Sequence, residues 1–296
     1  MKFFQIVFLL FSVSFSFANS PDFSPLPASH IVRHTYFTLS YNEKNEQANW
    51  VFYALTDSMV LNAGEERSNN FRQDKKIASE SAKSSDYTKS GYDRGHLCPA
   101  GDMGFNRKAM EESFLMSNIS PQAPDFNRGI WKKLEEQVRE WAKKERKLYV
   151  VTGPVFKNNK GSIGKEQVLV PGYYFKILYD PTDETKLIAF VLPNEKSDRQ
   201  LTDYAVAVDE AEKLTGFDFF SQLPDSQENI LESRVQLAGW FEGYAPVTPP
   251  TAVITKTETK TTQPGFRFFL VLILVILLVS LFIFIVGSRK KRKRRK

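Results

Sequence analysis

The sequence predicts a mixed α+β domain, and three observations support this fold class. Runs of β-branched and aromatic residues occur near the start of the domain, at 31–41 and 50–55. Segments with helical spacing follow them, and further strand-like runs come after those. Because strands and helices are grouped rather than regularly alternating, this order indicates an α+β domain and not a doubly wound parallel sheet.

The N-terminus has the layout of a secretory signal peptide, which we assign to residues 1–18. Lys2 precedes an apolar run that ends in small and polar residues at Ala18 and Asn19. Cleavage is expected near Ala18 because the run is short and lies at the very N-terminus; an uncleaved signal anchor is the alternative. Residues 19–30 are rich in proline and serine and predict an extended leader.

The folded domain is assigned to residues 31–244. The first two strand-like runs, separated by a polar stretch, predict a hairpin or neighbouring strands. Residues 56–90 are polar and predict a long loop. Helical spacing and further strand-like runs predict the remaining elements. The helices are expected at Arg107–Leu115, Trp131–Lys147, Leu201–Leu214 and Glu228–Leu237, and the strands of a central sheet at 147–156, 168–180 and 186–194.

The C-terminal part predicts a membrane anchor. Residues 245–265 are rich in proline and threonine and predict a stalk. Residues 266–287 are assigned to one transmembrane helix, since 268–286 contain a single polar residue, Ser280, and would span about 28 Å as a helix. The basic residues of the tail, 288–296, favour the cytoplasmic side. This topology places the domain outside the cytoplasm, at a periplasmic or extracellular face.

Charge and cysteine content limit how the domain can bind phosphate and whether it can form a disulfide. The chain has 40 basic and 34 acidic residues, but without Lys2 and the residues beyond 244 the balance is 28 basic to 33 acidic. The high isoelectric point therefore belongs to the anchor and does not indicate nucleic-acid binding by the domain, which must hold any phosphate locally. The single cysteine, Cys98, excludes an intrachain disulfide and is expected to be a small buried side chain.

An imidazole base must come from three histidines, at positions 30, 34 and 96. His96 lies in SGYDRGHLCPAGDM (90–103), where Asp93 and Arg94 flank a glycine that could give the backbone unusual φ/ψ values. An arginine beside a histidine disfavours its protonated form and keeps it available as a base. Amide-rich segments follow at 117–122 and 125–141. Phosphodiester hydrolysis requires a base, a divalent cation and an arginine, and these segments supply candidates for each.

The blocks SDYTKSGYDRGHLCPAGDM, SFLMSNISPQAPDFNRGIWKKLE and LYVVTGPVF, in this order, resemble the DNA/RNA non-specific endonucleases, a family that includes the Serratia-type secreted nuclease and mitochondrial endonuclease G. The resemblance covers residues 31–223. It implies a ββα-metal (His-Me finger) fold with a mainly antiparallel central sheet flanked by helices. It also implies metal-dependent hydrolysis of DNA and RNA with little sequence specificity. Mg²⁺ is the expected cofactor, with Mn²⁺ or another divalent cation as the alternative.

The resemblance also implies roles for individual residues. His96 would be the general base that activates water, and Asn127 would bind Mg²⁺ directly. Glu135 would hold the water around the ion, Asn118 would contact or orient groups of the site, and Arg94 would organise it or stabilise phosphate. An arginine upstream of the histidine would stabilise the transition state.

Arg67 and Arg72 are the candidates for that arginine, with a slight preference for Arg67. Simpler interpretations exist for three of the other residues: Asn127 as a helix cap, Asn118 as a loop hydrogen-bonder, and Glu135 as a surface residue.

Two other functions are compatible with the sequence. One is a catalytically inactive, membrane-tethered nucleic-acid-binding module, and the other is a phosphodiesterase acting on a substrate that is not a nucleic acid. The presence of both His96 and Asn127 favours the active nuclease. The expected partners are DNA, RNA and the membrane. The sequence does not decide the oligomeric state, and a homodimer is allowed.

Overall fold

A computed structural model of the chain describes residues 23–182 and 186–245. Within these ranges no helix combines the length and the apolar character needed to cross a membrane. Several of the predicted segments lie outside the described residues: the signal peptide (1–18), residues 19–22 of the leader, the stalk after residue 245, the transmembrane helix (266–287) and the basic tail (288–296).

Most of the strands form one antiparallel sheet. In the order in which they lie side by side, its seven strands are β1-β2-β3-β6-β9-β10-β11, and each neighbouring pair is antiparallel. Two small antiparallel pairs, β4–β5 and β7–β8, lie outside it. The strands are β1 (Ile31–Arg33), β2 (Thr38–Asn42), β3 (Gln47–Thr56), β4 (Asp93–His96), β5 (Ile119–Gln122), β6 (Lys147–Val155), β7 (Ser162–Ile163), β8 (Val168–Leu169), β9 (Tyr173–Asp180), β10 (Lys186–Pro193) and β11 (Ala205–Val206).

Five α-helices accompany the strands in the described residues. The Thr56 and Asn106 side chains cap the first two helices by accepting backbone N–H groups. A π-helical turn, Phe126–Trp131, leads directly into the third. The helices are α1 (Asp57–Leu61), α2 (Arg107–Ser113), α3 (Lys132–Glu145), α4 (Val208–Thr215) and α5 (Asp225–Glu232).

Alternation of side chains along the central strands builds a core on each face of the sheet. In β6, Leu148 and Val150 join the cluster that contains α3, whereas Tyr149 and Val151 join the cluster that contains α4 and α5. This is the period-two pattern of a strand covered on both sides. The α+β fold with a mainly antiparallel sheet is confirmed, and the helices pack on both of its faces.

Five predicted elements differ from the structure. The strand-like runs at 31–41 and 168–180 are each divided into two strands, β1 with β2 and β8 with β9, and β8 lies outside the central sheet. The loop over 56–90 contains α1 and a 3-10 turn at Ser84–Tyr87. The helix predicted at Leu201–Leu214 is a 3-10 turn, then β11, then α4, because β11 pairs with the sheet edge at β10. The last helix begins earlier and ends earlier than predicted, at Asp225–Glu232, directly after Pro224. Tertiary pairing and proline geometry override helical spacing at these places.

Candidate functional site

The hairpin strands β4 and β5 carry the His96 segment. In the antiparallel pair, Gly95 lies opposite Ser120 and His96 lies opposite Ile119. A Cβ atom on Gly95 would come within 2.2 Å of the Gln122 side chain. The glycine is therefore required for close approach, in an extended strand, and not for the unusual φ/ψ values that the sequence suggested.

His96 is a buried, neutral imidazole. Its ring is 7% exposed and packs edge-to-face against Phe114, with 4.8 Å between the ring centroids. Nε2 has no hydrogen-bond partner among the described residues. Burial, followed by the positive charge of Arg67, lowers the pKa of His96 to about 3. The ring is thus unprotonated near neutral pH and can accept a proton. The arginine that contributes to this is Arg67 rather than the neighbouring Arg94.

The other two histidines lie elsewhere. His34 is buried with its Nε2 2.8 Å from the Asp74 carboxylate, which also accepts a hydrogen bond from Ser117. His30 is exposed and lies 3.6 Å from Glu43. Because His34 is held by a carboxylate and His30 is in solvent, His96 is the histidine placed to act as a base.

The two candidate upstream arginines make different contacts. The Arg67 guanidinium lies 5.1 Å from the centroid of the Phe114 ring, the same ring that packs on His96. Arg72 instead donates a hydrogen bond of 2.9 Å to the backbone oxygen of Glu111. Arg67 therefore borders the histidine, and Arg72 ties its loop to α2.

Arg94 and Asn118 hold the backbone around His96. Arg94 donates to the Ser84 backbone oxygen and lies over the Phe71 ring, which also contacts His96. The Asn118 side chain accepts the N–H of Cys98 at 2.8 Å and donates to the Cys98 and Ser113 oxygens. Since this amide is fully used by backbone groups, Asn118 holds the backbone at Cys98 and Ser113, and the loop-bonding interpretation describes its contacts. Cys98 is buried, as predicted.

Asn127 lies within the π-helical turn and does not cap a helix. Its backbone N–H donates to the Ala123 oxygen at 2.8 Å. Its side-chain Nδ2 donates to Asp93 Oδ2 at 2.9 Å, which leaves Oδ1 without a protein donor among the described residues. Arg128 also binds Asp93 through two hydrogen bonds. Burial raises the pKa of Asp93, but the hydrogen bonds from Arg128 and Asn127 outweigh this effect and lower it. Asp93 therefore stays ionised and fixes which way the amide points.

Glu135 lies one turn into α3, near a group of buried charged side chains that influence its pKa. The side chain is half-buried, and burial is the largest influence on its pKa. Burial raises this pKa to about 7, against the opposing charge of Lys176 and with the help of Asp102. A carboxylate that titrates near neutrality in a cleft is typical of a functional site and not of an ordinary surface residue.

The sequence analysis did not identify the buried charged residues near Glu135. Asp102 accepts hydrogen bonds from Tyr53 at 2.8 Å and from Arg139 at 3.0 Å. Lys176 is fully buried, and its ammonium lies 4.8 Å from the centroid of the Trp131 ring. The single charge inside the apolar run YYFKILYD is the signal that could have revealed Lys176, because a charged residue is rarely buried without a partner.

Comparison with known proteins shows the family to which the chain belongs. The DNA/RNA non-specific endonuclease profile matches residues 20–226. The chain belongs to the DNA/RNA non-specific endonuclease family. It is thus a nuclease, a hydrolase that cleaves DNA and RNA without marked sequence specificity, and the nucleases of this family depend on a divalent cation.

Individual relatives agree with this assignment. The chain is 36% identical to a nuclease from Nostoc sp. over 225 residues, 71% of this chain and 80% of that one. It is 31% identical to the mitochondrial nuclease of Saccharomyces cerevisiae over 235 residues, 71% of each chain. A crystal structure of EndoG in complex with EndoGI is 32% identical with a TM-score of 0.63, covering 67% of this chain and 88% of that one.

The residues of the endonuclease site fit a hard divalent cation. The oriented Asn127 Oδ1 and the Glu135 carboxylate are both oxygen ligands, the type that Mg²⁺ and Ca²⁺ prefer. Strand β4 carries His96 at one end, and Asp93 at its other end holds the side chain of Asn127 from the π-helical turn before α3.

Proposed function

We propose that this endonuclease uses Mg²⁺, with Asn127 as the residue that holds the ion and His96 as the general base. The observation that carries the proposal is the four-residue strand β4: its last residue is a buried, neutral His96, and its first, Asp93, orients Asn127. When bound, the ion would neutralise phosphate charge and polarise the phosphoryl oxygen. The side-chain amide supplies a neutral oxygen, which suits an ion that retains several waters.

His96 activates the nucleophile in this proposal. A water molecule gives its proton to the imidazole as its oxygen forms a bond to phosphorus. The bond from phosphorus to the leaving oxygen breaks, and that oxygen is protonated by water. The pKa of His96 is low in the free protein partly because Arg67 is close, so an anionic phosphodiester that pairs with Arg67 raises the proton affinity of the base.

The remaining residues support these two. Arg67 is placed to stabilise negative charge that develops on the phosphate. Glu135 accepts hydrogen bonds from water in the cleft, and its ionised form is held by Lys176 and Arg139. Arg94 and Asn118 act as positioning residues through the backbone of Ser84, Cys98 and Ser113.

The experiment is cleavage of supercoiled plasmid and of RNA by the purified full chain, with Mg²⁺ and with a chelator. His96→Ala should lower the nicking rate at least about 1,000-fold, because proton transfer to the base is lost. His30→Asn is the matched control, since His30 is exposed and has a positive φ that asparagine tolerates. Retention of metal-dependent nicking in His96→Ala would contradict the mechanism.

We further propose that residues 266–287 anchor the nuclease in a membrane, with residues 1–18 directing the domain outside the cytoplasm and residues 288–296 remaining inside. The support is the apolar run with one polar residue and the basic octad that follows it. In cells that express the full chain, the protein should stay with membranes through alkaline carbonate extraction. External protease should remove the domain and leave an epitope at the C-terminus intact. Extraction by carbonate would contradict the anchor.

A further inference from the structure

A second group of carboxylates lies on α4 and α5, on the sheet face opposite α3; Glu232 is buried, and Asp209 and Glu212 are partly buried. Asp209 and Glu212 are three residues apart on α4, and Glu232 is the last residue of α5. One oxygen atom from each of the three carboxylates lies within 4.8 Å of the other two. Glu232 is beyond residue 226, where the match to the endonuclease family ends. This arrangement is therefore separate from the nuclease site.

Glu232 is the member that requires an explanation. It is 4% exposed, and its Oε1 is buried with no hydrogen-bond partner among the described residues. Burial raises its pKa to about 9, and the four charged groups that act most on it are all carboxylates: Glu212, Glu228, Asp209 and Asp218. A buried carboxylate beside other carboxylates is unfavourable unless a cation or a proton compensates it.

The surrounding backbone supplies only part of that compensation. Glu212 Oε1 accepts the N–H of Phe219 at 2.9 Å, which leaves its second oxygen for another partner. The N–H and C=O groups of Asp218 are both bound to Leu26, so the loop after α4 is held against the N-terminal segment. The loop is thus fixed in place beside the acidic cluster, and the unmet need is for positive charge between α4 and α5.

We infer that Asp209, Glu212 and Glu232 form a binding site for a divalent cation of the calcium class that clips α5 onto α4. The ligands are all carboxylate oxygens, which suits a hard cation. Ca²⁺ takes about 6–8 oxygen ligands, often including several carboxylates, whereas Mg²⁺ usually keeps several waters and takes only one or two carboxylates. Three carboxylates whose oxygens lie within 4.8 Å of one another therefore favour Ca²⁺. Water would complete the coordination.

The experiment separates this site from the nuclease site by removing the latter's metal ligand. The full chain carrying Asn127→Ala is purified in detergent, treated with a chelator and titrated with CaCl₂ or MgCl₂ at pH 7.5 while the Tm is measured. Saturating CaCl₂ should raise the Tm by about 5 °C or more, as expected for a ligand that binds only the folded chain, and MgCl₂ should raise it less. Calorimetric titration should give one Ca²⁺ per chain.

Adding Glu232→Gln to Asn127→Ala should abolish the calcium-dependent rise and increase the Tm in chelator, because a buried glutamine needs neither a cation nor the uptake of a proton on folding. Glu210→Gln, an exposed neighbour on α4, is the matched control and should keep the rise. Asp209→Asn is a second variant, which tests the site if Glu232→Gln does not fold. An equal rise with Glu232→Gln or Asp209→Asn would overturn the inference. The absence of a rise with CaCl₂ would also overturn it. A Tm in chelator that falls as the pH rises from 7 to 9 would then show that a proton compensates Glu232 instead of a cation.

Discussion

The two faces of the sheet each bury carboxylates, and they differ in what balances the negative charge. In the nuclease cleft, Asp102 is bound by Arg139, and the charges of Lys176 and Arg139 lower the pKa of Glu135. On the α4–α5 side, the groups that act most on Glu232 are other carboxylates. Where the chain supplies lysine and arginine side chains, a carboxylate can titrate near neutral pH and take part in chemistry. Where it does not, a buried carboxylate requires a proton or an external cation.

After His96→Ala, Asn127→Ala should have the largest effect on nicking, and it should separate the two metal requirements. The nicking rate at a fixed low Mg²⁺ concentration should fall about 100-fold or more, and higher Mg²⁺ should restore part of it, since the lost group is a ligand. The calcium-dependent rise in Tm should remain, because it arises on the other face. Arg128→Ala, which leaves the bond from Asn127 to Asp93 intact, should reduce the rate less. Equal losses in the two variants would contradict the ligand assignment.

Arg67→Ala compared with Arg72→Ala should show which arginine acts on the substrate. Arg67 borders His96, so its removal should lower kcat/KM by about 10- to 100-fold through loss of charge stabilisation. Arg72 holds the Glu111 backbone, so its removal should mainly lower the Tm. Steady-state cleavage of a fluorescent duplex together with thermal unfolding distinguishes the two outcomes. The reverse pattern would assign the phosphate contact to Arg72.

Lys176→Met should remove a positive charge that balances the carboxylates of the nuclease site; positive charge is already lacking among the groups that act most on Glu232. The charge of Lys176 lowers the pKa of Glu135, so its removal should raise that pKa above about 7 and leave Glu135 protonated at neutral pH. If cleavage requires ionised Glu135, the acid limb of the rate–pH profile should move up by roughly one unit. Lys143→Met, on the exposed side of α3, is the control. An unchanged profile in folded Lys176→Met would show that Lys176 does not tune Glu135.

The pH dependence of stability should reveal the buried neutral His96. The pKa is about 3 in the folded chain, below the value near 6.5 expected when unfolded. Between pH 6 and 4 only the unfolded chain takes up this proton, so the free energy of unfolding falls as pH falls, by about 1.4 kcal/mol per unit from this group. Denaturant unfolding of His96→Phe, which keeps an aromatic ring against Phe114, should lack this contribution. Identical slopes would indicate that His96 titrates normally in the folded state.

The sequence by itself was sufficient for the class of the fold and for the nuclease family. Strand-like runs predicted β6, β9 and β10, and the blocks around His96 and Asn127 predicted a nuclease of this family, because these features are local. A pattern of neighbouring residues determines which face of a strand is apolar, and a dense motif fixes which residue types lie close together along the chain.

Only the tertiary structure decided which residues compensate one another's charge. It placed Arg67, and not Arg94, beside His96, and it set Asp93 against Asn127, 34 residues away. It also buried Lys176, whose charge acts on Glu135, and brought Glu232 to Asp209 and Glu212. The physical reason is that burial and charge depend on packing between elements distant in sequence, and these two quantities set the pKa of a side chain and its need for a partner.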